Sequence, residues 1–239
     1  MNTIKIHRRN TLMIAHRGLS GLEMENTGLA FVAAGNRSYY GIETDIHRTA
    51  DGKFILTHDD NLKRVTGIDA VVEELEYDAL RQMKLLDLDG SMGRKDLRMP
   101  SIIEYAGICQ KYEKICVAEL KRPMSEEDIQ RIIDEFEAVG YLNNVIFISF
   151  CFENLVHVRC YRPEVRVQFL FTEYRDEYLA QVKAHQFDVD VYYKTLSREL
   201  IERFHREGIA VNCWTVNDPD VAERLVSWGV DFITTNILE

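Results

Sequence analysis

Eight short apolar runs recur along this chain of 239 residues, at 12–16, 41–46, 115–121, 145–149, 165–171, 188–192, 210–215 and 231–235. Each is long enough for one strand. Most are continuous rather than alternating, the pattern of strands buried on both faces. The intervals between most of them carry helix signals. Ser101 with Glu104 reads as a capping box, in which each side chain satisfies a free amide at the helix start. Ser125 precedes Glu126, Glu127 and Asp128, setting negative charge against the positive end of a helix dipole. Asp218-Pro219 supplies an N-cap followed by proline at the first helical position, and Gly35, Gly140, Gly208 and Gly229 punctuate helix ends. Strand–helix alternation repeated eight times predicts an α/β protein with a parallel sheet closed into a (β/α)8 barrel of the TIM type. An open doubly wound sheet is the competing arrangement. With 46% hydrophobic residues, the chain has enough apolar surface to fill such a core.

Three intervals depart from the rhythm. A ninth run, 53–57, follows the second closely. Residues 59–100 make too long a gap, read here as a small insertion after strand two in one catalytic barrel domain over 1–239. Within it 72–86 reads as a short helix and 87–100 as polar loop. After the last run only four residues remain, so the eighth helix is absent or vestigial.

Composition narrows the classes of function. A net charge of −10 argues against nucleic acid as the main partner, because a basic stripe is then expected. It leaves room for a small anionic substrate, since a bound cation and a few basic groups reverse the field within one pocket. No apolar run approaches the ~18–20 residues that span a bilayer. The N-terminus has basic residues without the apolar stretch of a secretory signal, so the expected compartment is the cytoplasm. Five cysteines without C-x-x-C spacing read as buried free thiols. Oligomeric state leaves no mark in the sequence.

In a barrel of this kind the active site forms at the C-terminal ends of the strands. His16 ends the first run. Glu43 and Asp45, two apart, project from one face of the second; Glu119 and Lys121 repeat that spacing on the third. His58 closes the ninth run. Three converging carboxylates repel unless protonated or bridged by a cation, and an all-oxygen site suits Mg2+ or Ca2+. The competing reading pairs them with Arg17, Lys121 and Arg48 as structural ion pairs. His16 and His58 titrate near neutrality, so one can take a proton while the other gives one. The remaining five histidines are expected to be structural. Phe150, Phe152, Phe171, Tyr192 and Tyr193 lie near strand ends, as cavity lining or as core.

These residues closely resemble the glycerophosphodiester phosphodiesterase family. Its A-H-R-G, P-E-N-T, E-x-D and H-D elements are matched by Ala15-His16-Arg17-Gly18, Met24-Glu25-Asn26-Thr27, Glu43-Thr44-Asp45 and His58-Asp59. Its later elements are matched by Glu119-Leu120-Lys121, by Trp214-Thr215-Val216-Asn217 and by the run from Gly229 to Thr235. The resemblance implies hydrolysis of glycerophosphodiesters to glycerol 3-phosphate and an alcohol. It also implies a divalent cation on Glu43, Asp45 and Glu119, acid–base action by His16 and His58, and phosphate contacts from Arg17 and Lys121. In the route proposed for the family, the neighbouring glycerol hydroxyl attacks phosphorus and water opens the cyclic phosphate. Met24 stands in place of the family's proline, and Thr235-Asn236 in place of its T-D. Two alternatives remain at this stage: phospholipase D-like action on lysophospholipids, and a barrel that binds glycerophosphodiesters without turnover.

Overall fold

A computed structural model describes residues 2–239 of the chain. Its strands are β1 (Leu12–Ala15), β2 (Gly41–Arg48), β3 (Phe54–Leu56), β4 (Ile115–Leu120), β5 (Val145–Ser149), β6 (Arg166–Phe171), β7 (Asp188–Tyr192), β8 (Val211–Trp214) and β9 (Phe232–Thr235). β3 joins β2 antiparallel as a hairpin. The other eight pair in parallel from β1 through β2 and β4 to β9, and the β9–β1 pairing closes the ring. The (β/α)8 barrel read from the sequence is therefore the fold.

Alternation along each strand separates two layers. Val117 of β4 packs inside the ring with Ile14, Ile146, Ile148, Leu170 and Phe232, while its neighbours Cys116 and Ala118 join the larger layer between sheet and helices. Because the side-chain period is two, Glu119 shares the inward face of Val117, and Asp190 lies opposite in sense to the outward Val189 and Val191. The sequence signals for helix starts hold. The Ser101–Glu104 capping box forms fully, Ser125 caps through the Asp128 amide, and Asp218 accepts from two amides ahead of the last helix.

Several expectations need correction. The helix predicted over 72–86 is broken into a 3-10 turn at Val72–Glu74 and a helix at Tyr77–Gln82. Tertiary bonds win over local propensity there: Leu75 O accepts from Ala50 N, and Tyr77 N donates to Asp51 Oδ1. The insertion also carries its own apolar cluster, with Leu62, Val65, Val72, Leu80, Leu85 and Leu97 buried against Ile55 and Met24. Of the cysteines, Cys109, Cys116 and Cys213 are buried, but Cys151 is half-buried and Cys160 exposed.

No helix follows β9. Leu238 instead bridges to Ile4, and the Glu239 carbonyl accepts from the Ile6 amide. The Glu239 carboxylate accepts from Thr3 Oγ1 at 2.6 Å and from the Ser38 amide at 2.8 Å, and lies 2.7 Å from Lys5 Nζ. The two ends of the chain thus form a strap whose Leu238 and Ile6 pack into the layer between sheet and helices. Among the described residues no helix is long and apolar enough to cross a membrane.

Candidate active site

The turn after β1 bends sharply over the barrel rim. Arg17 has φ 54° and Gly18 φ 77°, and a Cβ on Gly18 would come within 2.6 Å of the Ala30 carbonyl carbon, so only glycine fits there. The bend aims the Arg17 amide at Glu43 Oε2, 2.7 Å away, and brings the guanidinium 3.5 Å from Asp45. Asn26 completes this side. Its Nδ2 donates to Asp45 Oδ2 at 2.8 Å, and its Oδ1 accepts from Thr44. Glu25 pairs with Arg17 at 2.9 Å, and Thr27 caps the next helix. The Met24–Thr27 segment is therefore a bracket that holds Arg17 and Asp45, while Met24 itself packs into the apolar cluster of the insertion.

Glu43, Asp45 and Glu119 are buried, and each offers an oxygen within 4.8 Å of the others. Lys121 Nζ lies 2.9 Å from Glu119 Oε1 and 3.4 Å from Asp45 Oδ1. The ion-pair reading holds in part, since Arg17 and Lys121 do face these carboxylates; Arg48 instead pairs with Asp128. Yet a single ammonium, Lys121, serves both Asp45 Oδ1 and Glu119 Oε1, which are sealed from solvent and keep spare acceptor capacity. Oxygens in that state fit a hard divalent cation.

Electrostatics point the same way. Burial, with the charges of Asp45 and Glu119, raises the Glu43 carboxyl well above the usual range; burial and Asp45 push Glu119 up to about 7. Asp45 is held low against burial by Lys121 and Arg17. Charge crowding thus favours protonation of Glu43 and Glu119 in the metal-free cluster, and a cation would favour their ionised forms.

The two histidines line the same cavity and have different partners. His16 Nδ1 lies 2.7 Å from Asn236 Oδ1, and its Nε2 lies 4.0 Å from Glu43. With an amide oxygen as acceptor, the proton sits on Nδ1 and Nε2 carries the free lone pair. Burial, with Arg17, lowers its pKa to about 4. His58 Nδ1 lies 2.7 Å from Asp59 Oδ1, and burial lowers His58 too. Arg64, from the insertion, spans both supports by binding Asp59 at 2.6 Å and Glu25 at 2.7 Å.

His16, Arg17, Glu43, His58, Glu119 and Lys121 line one cavity, with about 430 Å3 of empty space counted out to open solvent. Asp45 is buried next to the lining carboxylates. The far wall is Ile148, Phe150, Leu170, Asp190 and Trp214, with Phe150 edge-on to Trp214 at 5.6 Å. Among the aromatics read from the sequence, Phe150 lines the cavity, whereas Phe152, Phe171 and Tyr193 pack in the layer behind the sheet and Tyr192 meets Trp214 at a tilt, 5.5 Å between ring centres. Sequence reasoning assigned no role to Glu25, Asn26, Asp59, Asp190 or Asn236. The first three stand inside motifs that were visible, and Asn236 marked itself as a departure from a pattern. His47, set aside as structural, is buried and its Nε2 contacts the His58 carbonyl at 3.1 Å.

Comparison with known proteins bears on the family and the fold. The profile of the Glycerophosphoryl diester phosphodiesterase family matches residues 16–239. A glycerophosphodiester phosphodiesterase of Caldanaerobacter subterraneus is 28% identical over 234 residues, covering 95% of this chain and 94% of that protein. An Oleispira antarctica phosphodiesterase, solved in complex with the product sn-glycerol-3-phosphate, shares the fold with a TM-score of 0.87 at 21% identity, covering 97% of this chain and 95% of that one. A glycerophosphodiester phosphodiesterase of Parabacteroides distasonis aligns with a TM-score of 0.79 at 25% identity, over 95% of this chain and 93% of its own.

Proposed function

Since the chain belongs to the glycerophosphoryl diester phosphodiesterase family and is an enzyme of that kind, we propose that this cavity cleaves glycerophosphodiesters with a divalent cation and a pair of histidines. The observation that carries the reading is the meeting of three buried carboxylates and two imidazoles at one cavity. Glu43, Asp45 and Glu119 hold the cation, Mg2+ or Ca2+. When bound, it polarises the phosphoryl oxygens and lowers the pKa of a nearby hydroxyl.

The protein's own groups do the rest. Arg17 and Lys121 hold the phosphate oxygens and fix phosphorus between His16 and His58. One imidazole takes the proton of the neighbouring glycerol hydroxyl as its oxygen bonds to phosphorus. The bond from phosphorus to the departing alcohol breaks, and the other imidazole protonates that oxygen. Water then opens the cyclic phosphate with the proton roles exchanged, releasing glycerol 3-phosphate. Asn26 and Glu25 keep Asp45 and Arg17 in place through both steps.

The test is turnover of glycerophosphocholine, glycerophosphoethanolamine and glycerophosphoglycerol, each with Mg2+ and with Ca2+, alongside lysophosphatidylcholine. Release of glycerol 3-phosphate from the deacylated substrates supports the reading. Turnover confined to the lysolipid would replace it with phospholipase D-like action. Binding without turnover by any cation would sink it.

A further inference from the structure

The far wall of the cavity holds one group that the proposed chemistry leaves unused. Asp190 sits on the inward face of β7, 1% exposed, and lines the cavity. Its Oδ1 is sealed from solvent with no hydrogen-bond partner, and no cation pairs with its carboxyl among the described residues. Its neighbour across the strand pair, Asn212, is committed elsewhere. Asn212 Nδ2 donates to Gln168, and its Oδ1 accepts from the Cys213 amide and from Thr234. Leaving a buried polar group unpaired costs about 1–3 kcal/mol, more for a charge, and a ligand in the cavity that Asp190 lines recovers that cost once the carboxyl turns toward it.

The surroundings say what kind. Ile148, Leu170 and Trp214 flank Asp190 with apolar surface, which suits the CH2 and CH faces of a small polyol. Arg17 and Lys121 line the same cavity and disfavour a cationic group. Burial, reinforced by Glu119, keeps the carboxyl protonated well above the usual range. A neutral carboxyl donates and accepts one hydrogen bond each, the complement of an alcohol hydroxyl. The glycerol moiety is common to every glycerophosphodiester, so it fits the enclosed part of the cavity. The variable alcohol needs the open side, where Phe150 is 45% exposed. With one glycerol oxygen on phosphorus and its neighbour acting as nucleophile, a single hydroxyl remains.

We propose that Asp190 binds the terminal hydroxyl of the glycerol moiety and thereby sets specificity for glycerol over shorter or deoxy analogues. The inference rests on the hydrolytic reading above. It is tested with glycerophosphocholine and with the analogue whose terminal CH2OH is CH3, which keeps the nucleophilic hydroxyl. The enzyme should favour the parent by about 10- to 100-fold in kcat/KM, the effect of leaving a buried partner unpaired. Asp190→Ala should lose that margin on the parent, mainly through KM, and level the two substrates. Asp190→Asn, which can still donate and accept, should retain most of the preference. An undiminished preference in Asp190→Ala overturns the inference while leaving the hydrolytic reading intact; failure of the unaltered enzyme on both substrates overturns both. Should Asp190→Ala not fold, inhibition of the unaltered enzyme decides: glycerol 3-phosphate must bind about tenfold or more tightly than 1,2-propanediol 1-phosphate, and equal inhibition rejects the proposal.

Discussion

The two walls of the cavity treat charge in opposite ways. On the β2–β4 wall, three carboxylates, Arg17 and Lys121 lie within ion-pair reach, and Asn26 and Glu25 brace them from behind. On the β6–β8 wall one carboxyl stands without an ion-pair partner among the described residues, beside apolar side chains and the Gln168–Asn212 pair. The difference teaches that a barrel rim can divide its labour by strand. A crowded wall makes a strong, adaptable field for a reacting phosphate, and a sparse wall leaves room for shape and one hydrogen bond.

Breaking the crowded wall should have the largest effect. Glu119→Ala should weaken cation binding and turnover together, the latter by about a thousandfold, because a bound Lewis acid is worth several kcal/mol; calorimetric titration of Mg2+ and Ca2+ beside steady-state rates checks it. His58→Ala should lower kcat by about 100- to 10,000-fold while cation affinity stays nearly unchanged. Equal loss of affinity in both variants would move His58 into the coordination shell and erase the distinction between holding metal and moving protons. Asn26→Ala removes a brace rather than a ligand, so cation affinity should fall by about 10- to 100-fold. If affinity instead matches the unaltered protein, the bracket formed by Met24–Thr27 serves the fold alone.

The smallest effect is on stability, and it sharpens the comparison through pH. Glu119 holds its proton up to about 7 in the folded, metal-free protein, against about 4.5 when unfolded. Between those values the folded state binds the extra proton, so stability falls as pH rises through the window. Metal-free protein should therefore melt lower at pH 8 than at pH 5.5 on account of this group, and Glu119→Gln or a saturating cation should flatten the trend. Melting curves across that range would test it; an unchanged slope in Glu119→Gln argues against charge crowding on this wall.

The barrel was legible because its strands are buried on both faces, which leaves continuous apolar runs that survive in the sequence. The crowded wall was legible too, since charged residues ending such runs have no place in a core. Asp190 was hidden inside one of those runs, two residues from Asp188, and only the structure separates them, since Asp188 pairs with Arg166 and Asp190 with no cation among the described residues. Asn236 and His16 meet across 220 residues, beyond the reach of spacing. The helix expected over 72–86 failed for a similar reason, because bonds to the 49–53 turn decide its break.

The strap at the chain ends also has a kinetic side. Asn236, which holds His16, belongs to the same short segment that carries Leu238 to Ile4 and Glu239 to Lys5 and Ser38. Contacts between opposite ends of a chain are the slowest to find, since closing the largest loop comes before any reward. Refolding should then restore helix content first and turnover last, with the rate of reactivation reporting ring closure.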